Sequence, residues 1–492
     1  MKSTEKIAAS PASSNAAAGQ PSPTILPANN LELVEAWGRA SQGISHVYRP
    51  TTVDGLKDLF QLARAAGSHI GFRGGGNSYG DAAMNDENIL VDLRRMNRIL
   101  GWDPKSGLIT LEPGVTLAQL WQYTLEDGWW PPVVTGTMAT TIGGCAGMNV
   151  HGKNAWQVGP IGDHITSFDL LLASGELVSC DRKRNSDLFH AAIGGFGVLG
   201  CFTAVTMQMK PVYSGLLEVQ TESRANLAEM FSYFEENLES SDYIVGWIDA
   251  FASGDSLGRG DVHMANYLPQ GADPYPSQTM QLSNQHLPDT LLGLVPKSVI
   301  WMFMLPFMNN LGTRIINSAK YSAGRLGGPK ASRQPHAAFH FLLDYVPNWK
   351  QAYGSRGLIQ YQPFIPKANA QDTFTEILKL CQQRGLPNYL TVMKRHRPDN
   401  FLLTHGLDGY SMAMDFRITK RNRGRIVSLI RELDQIVLAA EGRFYFAKDS
   451  TLDRETTESY LGQGTIEKFK ALKKRYDPDC LLQSNLWRRL FS

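Results

Sequence analysis

The stretch that most limits what this chain can become is GFRGGGNSYGD, Gly71 to Asp81, where three consecutive glycines follow a short apolar run. Glycine lets a backbone turn through positive φ and approach a ligand closely. A dinucleotide fold of the doubly wound type needs G-x-G-x-x-G, and here Tyr79 stands where the third glycine should be. A P-loop ends in G-K-[ST], which this loop lacks. The loop also leads toward another strand-like segment, NILVDL, rather than a long helix. Both familiar phosphate folds are excluded. A second glycine-rich segment, TGTMATTIGGCAGMNVHGKN from Thr135 to Asn154, and a third, GGFGVLG from Gly194 to Gly200, change the expectation. Loops of this kind beside strands can clamp an extended diphosphate from two sides, because successive backbone N–H groups form an anion-binding concavity without any lysine.

The rest of the composition narrows the class. At 492 residues the chain is long enough for two or three domains. Its formal net charge of +2 offers no electrostatic case for nucleic acid. Cys145, Cys180, Cys201, Cys381 and Cys480 show no metal spacing and no disulfide pattern. Such a set reads as reduced thiols in a cytoplasm. No metal site is expected. Residues 1–30, rich in Ala, Ser and Pro and lacking an apolar signal core, read as a disordered tail. No run reaches the roughly 18–20 apolar residues of a membrane span. The most apolar segment, SVIWMFMLPFM from Ser298 to Met308, reads first as a buried strand or helix. The lesser reading is a surface patch touching a membrane or a greasy substrate.

Along the chain, HVYRP, HIGF, NILVDL and LITLEP read as strands. TVDGLKDLFQLARAA carries helical spacing, and TLAQLWQYTLEDG is a helix opened by Thr116 and closed by Gly128. FDLLLASGELVSC gives two strands around Ser174-Gly175, and CFTAVTMQMKP ends at Pro211, which marks a boundary. Beyond it, DYIVGWIDAF, GLIQYQPFIP, YLTVMKRH and YSMAMDFRI alternate with three helical segments, an α+β rhythm. The expected organisation is residues 31–211 as a cofactor domain, 212–440 as a substrate domain, and 441–492 as a segment too polar to fold alone that returns to the first domain. The basic run KFKALKKR is expected to be a solvated helix face.

FRGGGNSYGD, TTIGGCAGMNVHGKN and GDHITSFDLLLASGELVSC followed by DLFHAAIGGFGVLG together resemble the FAD-binding domain of the vanillyl-alcohol-oxidase/p-cresol-methylhydroxylase flavoproteins. NWKQAYGSRGLIQYQPFIP, GYSMAMDFRI, EGRFYFAKDS and RYDPDCLLQSNLWRRL extend the resemblance to the C-terminus, toward a branch that oxidises polyprenyl-phospho-sugars. The resemblance implies an α+β protein with a two-part FAD domain. It implies that Arg73, Gly74, Gly75, Gly76, Asn77, Ser78, Tyr79 and Gly80 wrap the diphosphate and flavin edge. Gly136, Thr141, Ile142, Gly143, Gly144, Met148, Asn149 and His151 would line the other side, with Phe202 and Tyr445 as later contacts. Many members tether the flavin to a histidine in the first loop. Asn77 stands there in this chain, so FAD is expected to be held non-covalently.

The activity implied is oxidation of a sugar CH–OH by hydride transfer to flavin N5. Lys448, in the apolar, strand-like run FYFAKDS, is the expected partner for negative charge on the reduced ring, and His151 and Tyr79 the other catalytic candidates. Gln362, Lys394, His340 and Ala413 are expected at the substrate. Ala413 replaces a cysteine of the branch and His340 a tyrosine, so the pocket keeps the frame with a different lining. Electrons would leave to oxygen, a quinone or a reductase partner, and peripheral contact with a membrane is compatible with a lipid-linked substrate. Aldonolactone oxidation, of the D-arabinono-1,4-lactone oxidase kind, is the main alternative. Sterol-type side-chain reduction and flavin binding without turnover rank lower.

Overall fold

The computed structural model describes residues 24–287, 289–291 and 295–492. Of the expected tail, residues 1–23 lie outside the described residues. Thr24 already donates its N–H to Ala65 O at 3.0 Å, and Ala28–Asn30 form a short 3-10 turn.

Leu31–Glu35 (β1), Gln42–Tyr48 (β2), Ile70–Arg73 (β3) and Ile89–Asp92 (β4) form a four-stranded sheet ordered β1-β2-β4-β3, with β4 parallel to both neighbours. Between β2 and β3 runs the helix Val53–Ala65, capped by Thr52, whose hydroxyl accepts from Gly55 N–H at 3.1 Å. Its Leu56, Leu59, Phe60 and Ala63 fall on one face and pack on Ile70, Ile89 and Val91. Each large side chain buried there is worth about 1.5–3 kcal/mol.

Ile99–Asp103 (β5), Leu108–Leu111 (β6) and, after the short Trp129–Trp130 (β7), Ile165–Leu171 (β8), Leu177–Asp181 (β9) and Cys201–Gln208 (β10) make the second system. Five of these form an antiparallel sheet ordered β5-β6-β10-β8-β9, while Lys210–Pro211 (β11) pairs with β7. The helix Leu117–Thr124 opens with a reciprocal capping box between Thr116 and Gln119.

After Pro211 come Leu216–Arg224 (β12), Tyr243–Ile248 (β13), Gly260–Tyr267 (β14), the two-residue pair Thr290–Leu291 (β15) and Val295–Pro296 (β16), then Lys330–Pro335 (β17). Leu358–Tyr361 (β18), Pro363–Pro366 (β19), Thr391–His396 (β20), Gly409–Arg417 (β21) and Arg443–Phe444 (β22) complete a nine-stranded sheet. Its order is β17-β12-β14-β13-β20-β21-β19-β22, with β18 also on β21. The strand period of two decides its faces. Met393, Met412 and Met414 are fully buried in the large core together with the helices Leu227–Asn237, Lys367–Gln383 and Arg423–Ala439. Their neighbours Val392, Lys394 and Ala413 line a cavity instead.

The last residues come back to the first sheet. Ile70 N–H donates to Leu481 O and Gln483 N–H to Ile70 O, both at 2.8 Å. Arg489 pairs with Asp81 at 2.7 Å and with Asp449 at 2.8 Å. The KFKALKKR run lies on the helix Gln463–Tyr476; Lys473 departs from a solvated face, buried and bonded to Val198 O, Leu482 O and Asp477.

One expectation is overturned. SVIWMFMLPFM is neither strand nor buried helix. The helix Lys297–Met304 and the following turn leave Phe303 65% and Phe307 49% exposed, and Leu311 and Ile315 extend the same apolar surface. Of this segment, Trp301, Met304 and Met308 reach the cluster around Tyr79 and Tyr353. Among the described residues no layer covers its outer side chains. Among the described residues no helix is long and apolar enough to cross a membrane.

Candidate active site

A cavity of about 620 Å³ opens where the glycine loops meet the nine-stranded sheet, within the size range of cofactor and ligand pockets. The first loop supplies Gly74 to Tyr79, the second Thr135 to His151, and the third Phe196 to Gly200. Close approach explains the glycines. A Cβ on Gly74 would lie 2.0 Å from Thr141 Oγ1 and one on Gly75 2.5 Å from Ala139 O, so the two loops touch there. Gly76 adopts φ +66°, a left-handed conformation. Asn77 Nδ2 fastens the loops by donating to Ala139 O at 3.1 Å. Among the described residues the N–H groups of Gly75, Gly76, Asn77 and Ser78 donate to no backbone carbonyl. Thr141 Oγ1 is buried with no hydrogen-bond partner. Free amide donors and an orphaned hydroxyl on facing loops fit the diphosphate of FAD.

Most residues expected at the cofactor come together here: Gly136, Gly143, Gly144, Met148, His151, Phe202 and Tyr445 all line the cavity. Four turn away from it. Arg73 braces the loop from behind, donating to Ala83 O at 3.1 Å and Glu35 O at 2.9 Å. Gly80 faces the C-terminal segment, where a Cβ would sit 1.6 Å from Asp449 O. Ile142 is fully buried in the large core. Asn149, at φ 44°, uses its Oδ1 to accept from Gly162 N–H at 3.0 Å. These four shape the loops from outside the cavity, because glycine-rich walls need rigid supports behind them.

Lys448 lies in a turn after β22, not in the strand expected from FYFAKDS; its own N–H donates to Tyr445 O at 2.9 Å. The turn is tied to the first loop through Tyr79 N–H and Ala447 O at 2.8 Å. Lys448 Nζ stands 3.9 Å from the centroid of the Tyr79 ring. The area it exposes faces the cavity, so it is surrounded by protein. Burial, reinforced by the charge of Lys394, pushes its ammonium down to about 7, and Asp415 opposes that fall. Asp415 is itself raised to about 6 by burial, against hydrogen bonds from Gln360 at 2.5 Å and Tyr353 at 3.0 Å. Burial raises the Tyr79 hydroxyl well above the ordinary tyrosine value, keeping it a neutral donor.

His151 is buried and approaches Gln362 Nε2 with its Nε2 at 3.2 Å. Gln362 also donates to Ser411 Oγ at 3.1 Å, and Ser411 Oγ meets His396 Nε2 at 2.8 Å. Gln362 thus fixes one ring nitrogen and leaves Nδ1 without a partner. Burial, with Lys394, His396, His405 and Lys448 nearby, holds the imidazole well below its usual range, so it is neutral. The Tyr445 ring lies tilted against His405, with centroids 4.2 Å apart.

Gln362, Lys394, His340 and Ala413 all line the same cavity. Sequence reasoning missed Gln360, Ser411, Asp415 and Lys153. The strand period held the signal for three of them: Ser411, Ala413 and Asp415 alternate along β21, and Gln360 is two residues before Gln362. Nothing in the loop HGKN singled out Lys153.

The site thus has a glycine-walled cofactor pocket joined to a cavity-lining lysine, a neutral histidine and a polar wall, the makings of a flavin-dependent oxidoreductase. The model of an FAD binding domain matches residues 44–181. Decaprenylphosphoryl-beta-D-ribose oxidase of Mycolicibacterium smegmatis is 30% identical over 480 residues, 95% of this chain and 99% of that one. L-gulonolactone oxidase of Mus musculus is 29% identical over 196 residues, covering 40% of this chain and 43% of that one. L-gulono-1,4-lactone dehydrogenase of Mycobacterium tuberculosis is 23% identical over 457 residues, 91% of this chain and 96% of that one. The chain belongs to the p-cresol-methylhydroxylase-type FAD flavoproteins, as an FAD-dependent oxidoreductase acting on sugar-type CH–OH groups.

Proposed function

We propose that this enzyme oxidises a hydroxyl on the sugar of a polyprenyl-phospho-sugar, using non-covalently bound FAD. In this reading residues 31–211 hold the cofactor, 212–440 the substrate, and 441–492 bring Lys448 to the junction. The observation that carries it is the Lys448 ammonium in a cavity shared by the cofactor loops and the polar strands. When bound, FAD supplies the hydride acceptor. Lys448 stabilises the negative charge that oxidation delivers, and its lowered proton affinity rises as that charge arrives. His151, fixed by Gln362, offers Nδ1 to the substrate hydroxyl. Tyr79 holds the Lys448 chain in place through its ring. Asn77, occupied with Ala139 O, has no chemistry for a tether to the flavin.

The lipid part of the reading is supported by two things. The relative from Mycolicibacterium smegmatis bears the name of a decaprenylphosphoryl-ribose oxidase and is similar along almost its whole length. The apolar surface around Phe303 and Phe307 packs through Trp301 and Met304 onto the Tyr79 cluster, so an exposed apolar surface suited to a membrane adjoins the cavity. Aldonolactone oxidation is the second reading, favoured by the similarity to the lactone dehydrogenase over 91% of the chain. A lactone has no use for that surface.

The test is an anaerobic titration of the FAD-loaded protein, following the flavin's visible band. Bleaching by decaprenylphosphoryl-ribose and not by L-gulono-1,4-lactone supports the first reading. Bleaching by the lactone alone transfers the assignment to the second.

A further inference from the structure

The cavity wall carries Lys153, Lys320, Lys394 and Lys448 and, among the described residues, no carboxylate. Buried charges are normally paired, because an isolated ion in a low-dielectric interior is costly. Two of these lysines are accounted for. Lys320 pairs with Asp261 at 3.0 Å, and Lys448 has Asp415 behind it. Lys153 and Lys394 have no acid. Lys153, only 9% exposed, donates to the carbonyl of Phe339 and sits 4.2 Å from that residue's ring centroid. The Lys394 ammonium has no hydrogen bond or ion pair among the described residues, and burial is what lowers its proton affinity.

The sheet orders these groups. Lys153 is anchored at β13, where Ile244 N–H donates to its carbonyl at 3.1 Å. Lys394 follows on the adjacent β20, opposite Ser411 of β21. Gln362 and Lys448 lie further along, beside β19 and β22. At the β13 end, His340 is 1% exposed, lines the cavity, and has neither ring nitrogen hydrogen-bonded. A fully buried imidazole with both nitrogens orphaned is rare in native proteins. Lys394 stands between Lys153 and Lys448, its charge acting on both, so two acid-free amino groups and an orphaned imidazole line one cavity and would be matched by an anion.

We propose that Lys153, Lys394 and His340 form a receptor for the phosphate ester of the substrate, on the cavity wall that runs from β13 to β20. That the phosphate belongs to a sugar substrate rests on the oxidation reading; the receptor itself does not. Burial, with the charge of Lys394 beside it, pushes Lys153 to about 7, and burial alone pushes Lys394 to about 8, so an incoming phosphate would restore both to full charge. The competing source of the same chemistry is the diphosphate of FAD, and the glycine loops already supply free amide donors for that group. Ribose carbons held between this receptor and Lys448 would be oriented by their own phosphate.

The experiment is calorimetric titration of the FAD-loaded protein with inorganic phosphate, alongside measurement of bound FAD. Lys153→Met and Lys394→Met should each weaken phosphate binding about 10- to 100-fold, the range for a hydrogen bond to a charged group, with FAD content unchanged. Lys394→Arg should retain most of it. Unaltered phosphate affinity in both methionine variants overturns the proposal. So does a loss of FAD with phosphate affinity intact, which assigns the lysines to the cofactor. Should the methionine variants misfold, acylation of the wild-type holoenzyme decides. Phosphate should protect Lys153 and Lys394 from acetic anhydride, read by peptide mass, and unchanged labelling refutes the receptor. The two readings fail separately. Phosphate bound through these lysines with no sugar bleaching the flavin removes oxidation and leaves the receptor, whereas equal KM for phosphorylated and unphosphorylated sugars does the reverse.

Discussion

Lys153 should weaken the fold that it serves. Its amino group lies at about 7 in the folded protein against 10.5 for an ordinary lysine. One pH unit of that gap corresponds to about 1.36 kcal/mol, so at pH 7 the group costs the folded state about 4 kcal/mol. Its hydrogen bond to Phe339 O returns about 1 kcal/mol. Lys153→Met fills similar volume without charge and should therefore stabilise the protein by about 3 kcal/mol near neutrality, as hydrophobic replacement of buried ions often does. The sign of the pH dependence follows. The folded value is depressed, so between about 7 and 10.5 the unfolded chain binds more protons and wild-type stability rises with pH. The advantage of the methionine variant is then full at and below about pH 7, shrinks through that window, and disappears above it. Urea unfolding of both proteins in saturating FAD, at several pH values from about 6 to 10, reads this directly. A variant less stable than wild type at neutral pH, or an advantage that does not change with pH, would refute the reasoning.

Lys448→Met should keep FAD and slow flavin reduction about a thousandfold, since a charge pair at about 4 Å and an effective dielectric near 20 is worth about 4 kcal/mol; anaerobic stopped-flow with a bleaching substrate checks it. Gly80→Ala puts a methyl 1.6 Å from Asp449 O, beside the Lys448 turn, and should cost about 1–3 kcal/mol in urea unfolding and lower FAD affinity. Acid precipitation of the holoenzyme should leave the pellet white and the flavin in the supernatant, as Asn77 implies. Replacing exposed Phe303 and Phe307 together with serine should reduce co-sedimentation with phospholipid vesicles at least tenfold, because each inserted phenyl contributes about 1.5–3 kcal/mol, and should leave oxidation of a soluble substrate unchanged.

The cofactor half was readable because its signals are local. The helix Val53–Ala65 shows its apolar spacing and its Thr52 cap in consecutive residues, and the glycine loops declare close approach by composition. Gln362, Lys394 and Ala413 could be named from motifs, and the strand period could have added Ser411 and Asp415. Arg73 and Asn149 could not be separated from true wall residues. Both sit in the right loops, and only the fold decides which way a side chain points. Lys448 was expected on a strand because FYFAKDS is apolar; the chain instead turns there, tied back to Tyr79, hundreds of positions away in the sequence, and held by the Arg489 bridge to Asp449.

The two remaining failures share a cause. An apolar run is expected inside and a lysine outside because burial free energy says so. SVIWMFMLPFM does the opposite of the first rule, and Lys153, Lys394 and Lys448 the opposite of the second. Each violation costs stability, and a fold under no other demand would lose it by single substitutions such as Lys153→Met. The violations are also neighbours: Trp301 and Met304 of the apolar segment touch the cluster around Tyr79, and Tyr79 carries Lys448 on its ring. On the proposed reading both violations serve one molecule, a greasy chain joined to an anionic head, which would meet the apolar surface and the lysine-lined cavity together. The sequence is locally inconsistent where the proposed ligand would supply the missing partner for both.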